Sequence, residues 1–351
     1  MKALIVGTQR DQVTKAQWEP FFYYRKQLKQ KLGLEIETQP AETFSEIAQA
    51  CQTNPYDIIF MIPFWRESSQ EAENRIAPIK QTNPEQKLIF IDPWAQVSSR
   101  YFNLLPYVDL FLKRQRYSNL ENYHKKFLGG TILTDFLANK YDYDLEGWDV
   151  SSYVSESYIN RIHSGWNLGT AKKFKRQIES PNWLKGFQPQ KTIDIFCRLS
   201  LGKSDDWYSR YRRESVEALK PLEKTYKVAL SGKSRDKLVS RRQYYRELKR
   251  SKVVFSPFGW GENCWRDFEA ICNRCLLVKP SMAHIDTEPN IFIEGETYVS
   301  VNWDYSDLEA KIDHYLQHWE EAQKIIDNAY QVYQNYFRNQ SFIKKISDFI
   351  R

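Results

Sequence analysis

The sequence runs to 351 residues, enough for two cores of ordinary size. Hydrophobic residues make up 42% and charged residues 27%, which excludes a disordered or fibrous chain, and no apolar run approaches the ~20 residues of a membrane span. The formal net charge of +7 favours an anionic partner without choosing among nucleotide, nucleic acid and anionic lipid.

The N-terminus, M-K-A-L-I-V-G, reads as a buried strand over Lys2 to Val6 and not as a signal peptide. Five Cys without regular spacing fit a reducing cytoplasm. Thr8 to Asp11 follow the first strand, where open α/β sheets gather ligands. Trp18 to Leu32 reads as one basic, aromatic helix. Its Arg25, Lys26, Lys29 and Lys31 are candidates for a peripheral contact with the inner membrane face, although a solvated helix face explains them as well.

Leu34 to Thr38 is the second strand, Phe44 to Gln52 a helix, and Ile58 to Ile62 the third strand, stopped by Pro63-Phe64-Trp65-Arg66-Glu67. Ile76 to Lys80 belongs to a further helix. Leu88 to Ile91 is a strand ending at Asp92-Pro93-Trp94, and Val108 to Leu112 another, followed by the basic run Lys113 to Arg116. Strands alternating with helices predict a doubly wound α/β domain over residues 1–165.

Residues 166–190 read as a linker containing a basic helix, Ala171 to Ile178. A second α/β unit over 191–330 begins with the strand Ile193 to Cys197. Tyr208 to Lys220 is a helix, Tyr226 to Leu230 a strand and Ser240 to Ser251 a helix. Strands follow at Lys252 to Phe255, Leu276 to Lys279 and Tyr298 to Val301. Asp307 opens a helical tail, whose last part, 331–351, returns to the first domain. The predicted architecture is two Rossmann-like domains facing a cleft.

The stretch K-V-V-F-S-P-F-G-W-G-E-N-C-W-R-D-F-E-A, Lys252 to Ala270, carries the most chemistry. It reads as strand, glycine loop and helix, with Asn263 as the helix cap. That arrangement presents backbone N–H groups to an anion. Glu262, Arg266 and Glu269 fall on one face of the helix. An Arg for phosphate and a carboxylate for ribose hydroxyls suit a nucleoside diphosphate. A surface ladder of the same residues would stabilise the helix by only about 0.2–0.5 kcal/mol per pair.

This stretch, with the apolar run Cys275 to Val278, resembles the donor-binding segment of GT-B-fold glycosyltransferases. The similarity is to exostosin-like, spore-maturation-type and group 1-like members, where a Gly-rich loop leads into R-x-x-E-A. The resemblance implies transfer from a nucleotide-sugar donor to a glycan or glycolipid acceptor, with no cofactor, no metal and no nucleic acid. Arg198 and Lys203 resemble the G-R-L-x-x-x-K segment, with Cys197 in place of its Gly. The implied donor-binding set is Arg198, Lys203, Ser256, Gly259, Gly261, Arg266 and Glu269, with Glu262 at the sugar. Two departures stand out. Glu262 and Glu269 are one residue short of the E-x7-E spacing, and Asn273-Arg274 replaces the usual Gly before the next strand.

A general base, needed only if the anomeric carbon inverts, is sought at the strand ends of the first domain: Asp11 first, then Glu67 and Asp92, with His163 and His284 as further candidates. Asp142-Tyr143-Asp144 matches the Asp-x-Asp of metal-dependent enzymes, but follows a helix and not a strand. Only Cys272 and Cys275 are spaced as a zinc couple, so buried thiols are expected. Two alternatives remain: a nucleic-acid-binding protein, drawing on Lys113 to Arg116, Lys172 to Arg176 and Arg241 to Arg250, and another GT-B-shaped enzyme such as a sugar-nucleotide epimerase.

If Glu269 holds ribose, Glu269→Ala weakens donor binding in calorimetry and leaves the melting midpoint unchanged. A large fall in melting temperature with unaltered affinity makes the residue structural.

Overall fold

The structure, a computed structural model, describes residues 1–53, 55–145, 147–148, 150–180, 189–202, 206–231 and 239–351. In chain order the first half contributes strands β1 (Lys2–Gly7), β2 (Glu35–Pro40), β3 (Ile58–Ile62), β4 (Lys87–Asp92), β5 (Leu110–Lys113), β6 (Gln115–Tyr117) and β7 (Ile162–Ser164). Its helices are α1 (Gln12–Tyr23), α2 (Arg25–Leu32), α3 (Phe44–Thr53), α4 (Ser69–Thr82), α5 (Ile132–Tyr141) and α6 (Lys172–Glu179). Six of the strands form one parallel sheet in the order β2-β1-β3-β4-β5-β7. All five residues of β3, I-I-F-M-I, are buried, as a central parallel strand covered on both faces requires.

The second half carries β8 (Ile193–Cys197), α7 (Trp207–Glu217), β9 (Val228–Leu230), α8 (Arg241–Lys249), β10 (Ser251–Phe255), α9 (Trp265–Cys272), β11 (Leu276–Pro280), β12 (Ile285–Thr287) and β13 (Val299–Val301). Helices α10 (Leu308–Gln317), α11 (Trp319–Arg338) and α12 (Ser341–Ile350) close the chain. The second sheet is also parallel, in the order β13-β11-β10-β8-β9. The remaining two strands, β6 and β12, pair antiparallel with Arg116 opposite Asp286. They join the two halves directly.

The expected helix over Trp18 to Leu32 is two helices that start earlier. Asp11 caps α1 by accepting from the Val13 and Thr14 amides, both at 2.8 Å. The break falls at Tyr24 (φ −105°, ψ 8°). Its ring is buried against Phe342, and its hydroxyl donates to the Phe337 carbonyl. The basic residues of α2 are partly engaged: Lys29 pairs with Glu35, Lys31 donates to Gln340 and Arg25 donates to the Ile36 carbonyl. No described helix is long and apolar enough to cross a membrane.

Residues 166–180 of the stretch read as a linker are packed. Trp166, Phe174 and Ile178 are buried, and the hydroxyls of Tyr333 and Tyr330 on α11 donate to the Gly169 and Ile178 carbonyls. The helical tail bends at Gln340, which is left-handed (φ 52°). Helix α12 then crosses back to the first domain. There Phe342 stacks on Tyr24 (5.9 Å) and meets Phe21 (5.3 Å) and Trp166 (4.9 Å) edge-on.

Phe342→Ala should cost about 3–5 kcal/mol, the usual price of emptying a buried aromatic site. Urea unfolding at unchanged m-value measures it, and a loss below about 1 kcal/mol would show that α12 is not anchored there.

Candidate active site

Strand β8 has β9 on one side and β10 on the other, so the order of the second sheet reverses there. Ligands of open parallel sheets collect at such a reversal, beyond the carboxyl ends of the strands. Arg198 leaves β8 at that end, and Ser256 to Gly261 leave β10 beside it.

The turn from β10 into α9 rests on a dry polar triad. The Ser256 hydroxyl donates to the Asp267 carboxylate, and the Lys279 ammonium pairs with the same carboxylate at 3.2 Å. All three side chains are fully buried. Asp267 also accepts from the Cys264 amide (2.8 Å), so Cys264, and not Asn263, is the helix cap. Asn263 is drawn elsewhere: its amide group donates to Gln115 (2.8 Å) and Thr287 (3.2 Å), on the two strands that join the halves. The helix therefore starts one residue later than expected.

The glycines do not serve as expected either. The Gly259 amide donates to the Gly261 carbonyl (3.1 Å) and closes the loop on itself. A Cβ at Gly259 would lie 2.2 Å from the Arg212 guanidinium, and one at Gly261 would lie 2.3 Å from the Ala95 carbonyl. These glycines admit a cation from α7 and the loop after β4.

Arg266 and Arg212 are the centre of the site. Arg266 is buried, and donates to the carbonyls of Arg198 (3.1 Å) and Pro257 (3.3 Å). Arg212 donates to the Ser200 carbonyl (3.1 Å). The Nε of each is buried without a hydrogen-bond partner, and among the described residues neither guanidinium pairs with a carboxylate. Burial, and then the charge of Arg266, push the Arg212 pKa down. Two cations thus face one another, and the nearby carboxylates of Asp206 and Asp267 act on them only through space. Arg212 was not legible in the sequence: it sits in the run Arg210 to Arg213, where only packing separates one cation from the next.

Arg198, expected in the donor set, has partners of its own: its guanidinium forks onto Glu247 (2.8 and 3.2 Å) and donates to the Leu230 carbonyl, which holds α8 to β8. Lys203 lies outside the described residues. Glu269 is 5% exposed and accepts from Lys173 (3.0 Å), Tyr245 (2.8 Å) and Tyr244 (2.9 Å). Removing it would strand a lysine and two phenols, so the expectation of an unchanged melting midpoint for Glu269→Ala does not hold. Glu269→Gln is the cleaner probe.

Glu262 is 1% exposed and lies across the junction between the halves. It accepts from Gln115 and faces the His284 Nε2 at 3.5 Å. Beside it Arg114 is buried, with its Nε unpartnered. Burial lowers the Arg114 pKa to about 10, and Asp92, Asp11 and Glu262 act against that fall. Asp11 and Glu262, the two candidate catalytic carboxylates, thus both act on the charge of one guanidinium. Asp11 spends Oδ1 on the cap of α1, and among the described residues Oδ2 has no bond.

Other candidates are occupied. Asp92 pairs with Lys113 at 2.5 Å, both fully buried. Glu67 accepts from the Phe44 amide (2.8 Å). His163 packs against Phe349 of α12. Asp142 ends α5 in a left-handed turn. All five cysteines are free, and among the described residues no group of three or more His, Cys, Asp or Glu is placed to hold a metal. Past α9 the left-handed residue is Arg274 (φ 54°), not Asn273. Its ion pair with Asp327 and its stacking over Tyr330 (5.1 Å) offset a conformational cost of about 1–2 kcal/mol.

The glycosyl transferase-like family matches residues 211–348, which include Arg212, Arg266 and Glu269. Among solved structures, an alpha-glucosyltransferase in complex with UDP-glucose and DNA containing an abasic site superposes with a TM-score of 0.52. It covers 98% of this chain and 99% of its own, at 10% identity. A glycosyltransferase from Rickettsia africae gives 0.51 over 99% and 97%, at 12% identity. The chain has the GT-B fold. No curated protein matches the sequence.

Within this fold the Ser256–Asp267–Lys279 triad sets the angle at which α9 leaves β10. Lys279→Met would leave a buried carboxylate without its cation, at a cost of about 3–5 kcal/mol in urea unfolding. A loss below about 1 kcal/mol would mean that Ser256 and the helix cap hold Asp267 unaided.

Proposed function

We propose that the enzyme transfers a glycosyl group from a nucleoside diphosphate sugar to a hydroxyl acceptor, and that it does so without a metal. The observation carrying this reading is the pair Arg212, half-buried, and Arg266, buried, two cations hydrogen-bonded to no carboxylate among the described residues. A diphosphate supplies the charge they lack.

In the transfer, the bond from the anomeric carbon to the β-phosphate oxygen breaks, and its electron pair leaves with the diphosphate. Charge grows on that oxygen as the bond stretches. Fixed guanidinium groups in a dry site stabilise it without reorganising. Glu269 receives the ribose hydroxyls, with Tyr244 and Tyr245 fixing its two oxygens. Glu262 lies toward the sugar. Asp11, through its open Oδ2, takes the proton of the attacking hydroxyl if the reaction inverts. The acceptor enters from the first sheet, and a glycan or glycolipid fits that position better than a long nucleic acid. The solved structure that holds DNA resembles this chain in fold, at 10% identity.

Calorimetry with UDP and GDP tests the donor site. At least one should bind in buffer containing a chelator. Arg212→Ala and Arg266→Ala should each weaken that binding by about tenfold or more, about 1.4 kcal/mol. Binding of neither nucleotide, or binding that needs a divalent cation, would remove the proposal.

A further inference from the structure

The carboxyl edge of the first sheet carries a second set of cations. Arg10 follows β1, Arg66 follows β3 and Arg100 lies in the loop after β4. All three are exposed, and among the described residues none forms an ion pair. Each lies over an aromatic ring. Arg10 and Arg66 flank Phe64 at 5.3 and 5.6 Å, Arg66 lies 5.1 Å from Trp65, and Arg100 lies 5.3 Å from Trp94. Trp65 and Trp94 touch one another at 6.3 Å, so the set is continuous.

The set also reaches the donor loop. Trp260, between the two loop glycines, packs edge-on against Trp65 (5.4 Å) and Trp94 (5.2 Å). Gly259, its neighbour, lies against the Arg212 guanidinium. A molecule seated on the arginines therefore lies next to the leaving-group site, where an acceptor must lie.

A guanidinium attracted to a ring face gives up part of its rotamer freedom and keeps its N–H fork for a ligand. Three such groups from three successive strand ends fit a negative charge. We propose that the acceptor is a saccharide bearing a phosphate or carboxylate, and that Arg10, Arg66 and Arg100 bind that group. This rests on the donor-site reading above and adds the class of acceptor. A nucleic acid fits less well. It needs a track of cations along its backbone, whereas Glu42, Glu46, Glu67 and Glu71 lie just behind this edge on the loops and helices that follow β2 and β3.

The test uses the full chain, with and without UDP, on an immobilised array of glycans. Members share a neutral skeleton and differ in an added phosphate or carboxylate. A short DNA duplex is a further arm. Charged members should be retained about tenfold or more over their neutral parents, and comparing the two kinds of charge identifies the preferred anion. Arg66→Ala/Arg100→Ala should lose that margin while melting and binding UDP as the parent does. Equal retention of neutral members, retention of no glycan, preference for the duplex, or a double variant that keeps the margin would each overturn the proposal. Failure of the parent chain to bind either UDP or GDP would instead remove the donor-site reading, and the array without nucleotide would still report on this edge.

Discussion

Gln115 is the residue through which the two halves share one site. Its side-chain carbonyl accepts from Asn263, and its amide donates to Glu262, both on the loop that opens α9. Its backbone belongs to β6, which pairs with β12. Thr287 of β12 accepts from Asn263 and Asn167, and donates to the Arg114 carbonyl. Such a closed circuit of buried amides and hydroxyls is worth more intact than in parts, because each broken link leaves a polar group dry and unpaired. The position of the donor loop thus depends on the first domain as much as on the second.

Charge is arranged in layers around that circuit. Deepest are two neutralised pairs, Asp92 with Lys113 and Asp267 with Lys279, which fix loops and have no charge to spare. Above them are Arg266, buried, and Arg212, half-buried, neither of them hydrogen-bonded to a carboxylate among the described residues. Outermost are the ring-mounted arginines. A cation kept dry without a partner lowers the stability of the protein alone, so its presence makes sense when a ligand completes it.

Much of the fold could be read from the chain because parallel strands announce themselves as short apolar runs. Ile58–Ile62 is one such run, and its limits were legible to the residue. Strands β6 (Q-R-Y) and β7 (I-H-S) were not, since their polar residues leave no apolar run to detect, unlike the equally short β9 and β13. The loop and helix after β10 were legible as a unit from S-P-x-G-x-G and R-x-x-E-A. The partners of their side chains were not, because hydrogen bonds to Gln115, Arg198 to Glu247, and Arg212 against Gly259 join residues far apart in sequence. Asn263 and Cys264 show the limit well. Local propensity favours Asn as the cap, and a tertiary contact reassigns it to Cys.

The β6–β12 ladder has a mechanical meaning. Antiparallel hydrogen bonds resist sliding along the strands far more than rotation about them. The ladder fixes Gln115 and Thr287 in register, and through them the loop that carries Glu262 and Asn263. The alignment of Glu262 is thus set by strand register, whereas the Trp65–Trp260 margin rests on ring packing.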